Sequence, residues 1–217
     1  MTEITLIRHG QAQSGATDEA SYDQLSDLGF QQAGWLGEHL RPYHQYERLL
    51  SGTMRRQIQT AQSLALDNIP HDQDARLNEL DYFGLANSLK ESHGTEIPTD
   101  LASFTAHFPQ LLEVWQKGDV HSDLESYEEF RGRIMAALRD VAEGQQPAVL
   151  VTSTGVISTL VSMALGLDFS QKCQIFLSIM HTSVHKFSMG KDGLRLVQFG
   201  ATPHLDVQGR LHAKTHV

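Results

Sequence analysis

Arg8-His9-Gly10 sets an arginine and a histidine side by side at the end of a short apolar run and follows them with a glycine. A neutral imidazole nitrogen can attack phosphorus, and a guanidinium grips two phosphate oxygens through parallel donors. Glycine lets the backbone pass close to a bound anion. The same tripeptide also reads as a surface arginine–histidine pair ahead of a loop glycine, and alone it does not decide between the two. A second cationic point lies in Ser51-Gly-Thr-Met-Arg-Arg-Gln-Ile-Gln-Thr-Ala61, where Arg55 and Arg56 open a helix. Backbone N–H groups and the helix dipole already favour an anion there, so basic side chains are unfavourable unless something negative compensates them. That tilts the reading from a solvated basic patch toward an anionic ligand. Arg56 and Gln59, three residues apart, share a helix face.

The elements that must position these groups follow from the pattern. Ile4-Thr5-Leu6-Ile7 is a strand ending at Arg8, and residues 11 to 24 are polar and small, as in a surface loop. Ser26 is a good N-cap for a helix with Leu28, Gln32, Leu36 and Leu40 on one face, ending at Pro42. Arg48-Leu-Leu-Ser51 is a second strand, and a helix from about Met54 to Leu66 stops at Asn68 and Pro70. Residues 82 to 98 read as loop. Two helical patterns broken at Pro109 and Gly118 follow, then a longer one from about Leu124 to Val141. Ala148-Val-Leu-Val151 is a buried parallel strand, and a helix after Gly155 carries Val156, Leu160, Ala164 and Leu165. Val184 to Met189 and Leu194 to Phe199 flank Gly190-Lys-Asp-Gly193 as a hairpin. The last eight residues or so read as a frayed tail. This order makes an α/β protein with a mostly parallel sheet, whose ligands gather at the carboxyl ends of the strands, after Ile7, Leu50 and Val151.

Composition bounds the partners. The 217 residues suit one domain, and a net charge of −9 argues against a nucleic-acid or anionic-membrane surface. The single cysteine, Cys173, excludes an internal disulfide framework and fits a reducing, cytoplasmic setting. The N-terminus is no signal peptide, and no run reaches the ~18 apolar residues of a membrane-spanning helix. Twelve histidines are scattered without metal-ligand spacing, which suggests a titrating surface for most of them. Arginines in the same pocket would repel an ion, so no metal or other cofactor is expected.

Leu6-Ile-Arg-His-Gly-Gln-Ala12, Leu25-Ser-Asp-Leu-Gly-Phe-Gln-Gln-Ala33 and Arg56-Gln-Ile-Gln-Thr-Ala61, in this order, resemble the histidine phosphatase superfamily, also called phosphoglycerate mutase-like. The resemblance covers roughly residues 3–81 and 147–205. It implies a single three-layer α/β/α domain over residues 1–217 with a helical cap insertion at about 82–140. It also implies phosphoryl transfer through a phosphohistidine on His9, with Arg8, Arg56, Gln11 and Ser153 around the phosphate. Leu77-Asn-Glu79-Leu-Asp81 matches the family's acid-bearing segment, so Glu79 is the expected general acid and Asp81 the reserve. A small phosphoester or a phosphoprotein would be the substrate.

One departure stands out. The family places a second pocket histidine in a Ser-His-Gly-Gly pattern, whereas this chain has Thr152-Ser153-Thr154-Gly155. Ser153 can donate one hydrogen bond but brings no charge. The Ser153 hydroxyl and the following helix N-terminus suffice, or His181 or His204 fills the gap, or the pocket binds phosphorylated ligands without turning them over well. The glycolytic mutases of the family continue Arg-His-Gly with Glu-Ser-x-Trp-Asn; Gln11-Ala-Gln-Ser-Gly15 lacks this, which favours phosphatase over mutase. The region 82–140 is poor in cations, which argues against highly phosphorylated substrates, and its aromatics suit helix packing.

Overall fold

The computed structural model of the chain describes residues 2–13, 18–42, 46–67 and 69–216. Its strands are β1 (Thr2–Arg8), β2 (Arg48–Ser51), β3 (His71–Gln73), β4 (Ala148–Thr152), β5 (Val184–Gly190) and β6 (Gly193–Ala201). Its helices are α1 (Glu19–Tyr22), α2 (Asp27–Leu40), α3 (Arg55–Ser63), α4 (Tyr82–His93), α5 (Leu101–Lys117), α6 (Tyr127–Glu143), α7 (Thr154–Leu165) and α8 (Phe169–Ser178).

The apolar run that forms β4 is buried at every residue, as a strand covered on both faces must be. It lies between β2 and β1 in a six-stranded sheet of order β3-β2-β4-β1-β5-β6. The pairs β3–β2, β2–β4 and β4–β1 are parallel, while β5 runs antiparallel to β1 and β6 antiparallel to β5. Side chains alternate between two cores. Ile4, Leu6, Leu50 and Leu150 face α4 to α7, whereas Ile7, Leu49, Val149 and Val151 face α2 and α3. The result is the expected three-layer α/β/α arrangement.

Register decides where the site can be. Arg8 pairs with Thr152, and Ser51 pairs with both Val151 and Gln73, so four carboxyl ends are level. Because β5 is antiparallel, it is its entrance that joins them: Val184 lies opposite Ile7 and Ala201. The segments just before β5 and just after β6 therefore also reach this end of the sheet.

Several local expectations are corrected. Residues 82–93 of the expected loop form α4, capped by Asp81 and ended by Gly94 at φ 67°, because Leu85, Ala86 and Leu89 make a buried stripe. Pro109 does not break α5, which runs through it. An interior proline costs about 3 kcal/mol, less than is gained by burying Phe108, Leu111, Leu112 and Trp115 at ~1.5–3 kcal/mol each. Helix α8 carries the Asp168…Gln171 capping box that marks a helix start. Within the loop of residues 11–24, α1 forms, while residues 14–17 lie outside the described residues, as does Asn68. The C-terminal segment is no frayed tail; residues 211–213 form a 3-10 turn and Ala213 is buried.

Candidate active site

His9 leaves β1 with its N–H on the Thr152 carbonyl (2.9 Å) and its side chain buried. Its Nδ1 lies 2.7 Å from the Gly10 carbonyl, which can only accept, so Nδ1 carries the hydrogen and the Nε2 lone pair is left unprotonated. Burial, then Arg56 and Arg8, hold its pKa well below the usual imidazole value. The ring is neutral and its tautomer is set. A Cβ on Gly10 would strike the backbone of Gly29, and this close approach seats the turn on the start of α2. Gly10 N–H donates to Thr60 Oγ1 (3.0 Å), whose hydroxyl donates to the Arg56 carbonyl (2.7 Å), tying the turn to α3.

Arg8 is buried, and burial lowers its pKa to about 10 despite the opposing fields of Tyr22 and Glu79. Its Nη1 donates to the carbonyls of Ile179 and His216. Arg56 is equally buried and pairs with Asp23, Nη1 to Oδ1 3.0 Å. Asp23 also accepts from the main-chain N–H groups of Arg55 (2.8 Å) and Arg56 (3.1 Å). The Tyr22 ring lies 4.9 Å from the Arg56 guanidinium carbon. The negative charge that the helix start calls for is thus supplied, in the resting protein, by the chain itself. Gln59 Oε1 accepts from Leu25 N–H (2.8 Å) and fastens the loop before α2.

Glu79 docks on the opposite wall. Both its oxygens lie 3.0 Å from Gly155 N–H in the first turn of α7, and Oε1 also accepts from Leu80 N–H (3.0 Å). A Cβ on residue 155 would fall on Glu79 Oε1, so only glycine lets the carboxylate reach the helix start. Burial raises the Glu79 pKa, opposed by the Gly155 N–H and Arg56. Asp81 is used elsewhere: it caps α4 by accepting from Gly84 N–H (2.9 Å).

Ser153 is the N-cap residue of α7 and fully buried, and its hydroxyl accepts from Gln57 Nε2 (2.8 Å). Gln11 lies at the rim, where its carboxamide oxygen accepts from Ser26 Oγ (2.9 Å) at the α2 cap. The two reserve histidines part company. His181, at the entrance to β5, is buried with its ring centroid 5.8 Å from that of His9. Its Nδ1 pairs with Thr215 Oγ1 (2.9 Å), and its buried Nε2 has no hydrogen-bond partner. His204, beyond β6, bonds Thr182 Oγ1 (2.8 Å) and is flanked by His39, Arg210 and Asp206.

The cluster therefore joins His9, Arg8, Arg56, Glu79 and Ser153 with His181, and leaves His204 outside. Tyr22, Asp23, Gln57 and Thr215 touch these groups without a sequence signal to single them out. Among the described residues, five histidines, His9, His107, His181, His185 and His204, are buried rather than part of a titrating surface.

Comparison with known proteins bears on the family and the fold. Residues 4–202 match the histidine phosphatase superfamily (branch 1). A search of curated proteins returns no match. Among solved structures, an alpha-ribazole phosphatase from Shigella flexneri superposes with a TM-score of 0.68 at 19% identity, covering 93% of this chain and 97% of that one. A phosphoserine phosphatase from Entamoeba histolytica gives 0.66 at 18%, over 94% and 100%. A mycobacterial glucosyl-3-phosphoglycerate phosphatase gives 0.66 at 23%, over 93% and 100%. With the family matched over nearly its whole length and the fold shared with these structures, the chain belongs to branch 1 of the histidine phosphatase superfamily.

Proposed function

We propose that this protein is a metal-independent phosphomonoesterase that works through a phosphohistidine on His9, with His181 serving where the family's second pocket histidine is replaced by Ser153. The observation that carries this reading is the tautomer of His9: with Nδ1–H on the Gly10 carbonyl, the Nε2 lone pair is available amid Arg8, Arg56 and Glu79.

In the first step Nε2 attacks phosphorus in line, forming a P–N bond as the ester P–O bond breaks. Glu79, protonated, gives its proton to the departing oxygen, so an alcohol leaves rather than an alkoxide. An incoming phosphate raises the Glu79 pKa further, beyond what burial does. Arg8 and Arg56 take the equatorial oxygens, where charge grows in the transition state. Asp23 must yield Arg56 to the phosphate, at least in part. In the second step Glu79, now a carboxylate, takes a proton from water. The water oxygen bonds phosphorus, the P–N bond breaks, and its electron pair returns to His9. Ser153 and Gln57 line the α7 side of the pocket.

The substrate class is a small phosphomonoester. Lys90, Lys117, Arg131 and Arg133 of the 82–140 region are paired with acids of that region, Glu96, Glu113, Glu128 and Glu125, and the fifth cation there, Arg139, is exposed on α6, so the region offers little to a second phosphate. The aromatic residues there pack on one another, as Phe104 does on Phe108 (ring centroids 5.7 Å apart), and on α8, where Phe108 stacks on Phe176 at 3.8 Å. The phosphatases of similar fold, named for phosphoserine, alpha-ribazole and glucosyl-3-phosphoglycerate, fit that class.

Hydrolysis of an aryl phosphate without added metal, and an acid-labile, base-stable phosphoprotein trapped after rapid mixing, are the expected results. His9→Ala abolishes both. A protein that vanadate stabilises against heat but that turns over no phosphomonoester between pH 4 and 8 is a binding module, and the enzymatic reading fails.

A further inference from the structure

We propose that Thr215, in the C-terminal strap, is a positioning residue that sets the tautomer of His181 so that its Nε2–H points a hydrogen-bond donor at the phosphoryl group. This rests on the reading of His181 given above and adds the device that makes a neutral histidine useful there.

The direction of each bond in the relay follows from chemistry. Gln11 N–H, a donor, lies 2.8 Å from Gln32 Oε1, and the Ala213 carbonyl, an acceptor, lies 2.7 Å from Gln32 Nε2. The carboxamide of buried Gln32 therefore has one orientation. Its Nε2 also donates to Thr215 Oγ1 (3.0 Å). Having accepted there, the Thr215 hydroxyl has its own hydrogen to give, and its remaining neighbour is His181 Nδ1 at 2.9 Å. The Thr215 carbonyl is engaged by His181 main-chain N–H (2.9 Å). Nδ1 is then the acceptor, and a neutral imidazole must carry its hydrogen on Nε2. That atom is buried, has no partner in the resting protein, and belongs to the ring beside His9. Burial, with Arg8 and His9 nearby, keeps the ring neutral against the opposing pull of the Thr215 main-chain carbonyl. The two rings thus hold opposite tautomers: His9 presents a lone pair and His181 a hydrogen.

The strap also carries the His216 carbonyl to Arg8, and Lys214 anchors it through an ion pair with Asp206. Both pocket groups on this wall are therefore fastened by three consecutive residues of the C-terminal segment.

Long-range 15N–1H spectra of the histidine-labelled full-length protein read the tautomer directly, with Nε2 protonated and Nδ1 bare expected for His181. Thr215→Val keeps the shape and removes the hydroxyl; it is expected to lower kcat about tenfold with KM changed less, while Thr215→Ser restores most of the rate. Thr215→Val adds little to His181→Ala when both are combined, because the first acts through the second. An Nδ1-protonated His181 in the native protein, or a Thr215→Val enzyme of full activity beside an impaired His181→Ala, overturns the relay alone. A fully active His181→Ala enzyme overturns the role of His181 itself, and the relay with it. Should Thr215→Val not fold, the native spectrum and the serine variant still decide.

Discussion

The Asp23 carboxylate supplies the negative charge beside Arg56 in the resting protein. It bonds the guanidinium and two main-chain N–H groups at the start of α3, the same donors that an anionic ligand would seek there. Its loss therefore acts on the resting protein more than on the liganded one. Asp23→Asn is expected to cost about 1 kcal/mol of stability, the usual worth of a lost cap and charge pairing. Vanadate should raise the melting temperature of that variant by more than it raises that of the native protein. An equal or smaller rise would show that Asp23 and the ligand do not compete. Arg56 and His9 were legible as chemistry from the sequence because strand-end and helix-start motifs announce them. Asp23 was not, because its partner lies 33 residues away and only the fold brings the two together.

At the level of elements, α7 begins where β4 ends, and its first turn carries the contact that fixes Glu79. Gly155 shows how a tertiary contact reverses a local rule. Alanine inside a helix is favoured over glycine by about 1 kcal/mol, so propensity alone predicts that Gly155→Ala stabilises the protein. Here the added methyl would occupy the position of Glu79 Oε1 and crowd Leu80 Cδ2. The variant should lose about 1–3 kcal/mol to overpacking, and its turnover should fall because the acid no longer sits on the helix start. Chemical denaturation and kcat measured on one preparation check both; a more stable, fully active variant would refute the placement of Glu79. The strap and α4 belong to the same scale. Both read as irregular in the sequence, since Gly84, Asn87 and the polar C-terminal residues weaken the pattern. Burial of Leu85, Leu89 and Ala213 orders them nonetheless.

For the molecule as a whole, the buried histidines set the response to acid. His185 and His204 are held neutral, their pKa values lowered by burial to about 3. Unfolding returns them to about 6.5, so between these values the unfolded chain binds more protons and stability rises with pH. Their contribution is complete above pH 6.5 and falls as pH drops, by about 2 kcal/mol for each at pH 5. His9 and His181 shift in the same direction. Glu79, with a raised pKa, works oppositely, but one group does not offset four. The melting temperature should therefore fall steadily from pH 7 to pH 5, and His204→Gln should flatten that slope. A melting temperature independent of pH over this range would exclude neutral burial of these rings. No helix among the described residues is long and apolar enough to cross a membrane.

The sequence by itself determined the α/β class, the strand end that carries His9 and the helix start that carries Arg56, and the membership of the histidine phosphatase superfamily. These depend on contiguous patterns: alternation, caps, and short motifs read along the chain. Only the tertiary structure decided that Asp23 neutralises Arg56, that His181 and not His204 stands beside His9, and that Thr215 lies against it. The physical reason is that an antiparallel β5 brings its entrance, not its end, to the carboxyl edge of a parallel sheet. Which side chain lies beside His9 there is settled by register and burial, neither of which leaves a mark in local sequence.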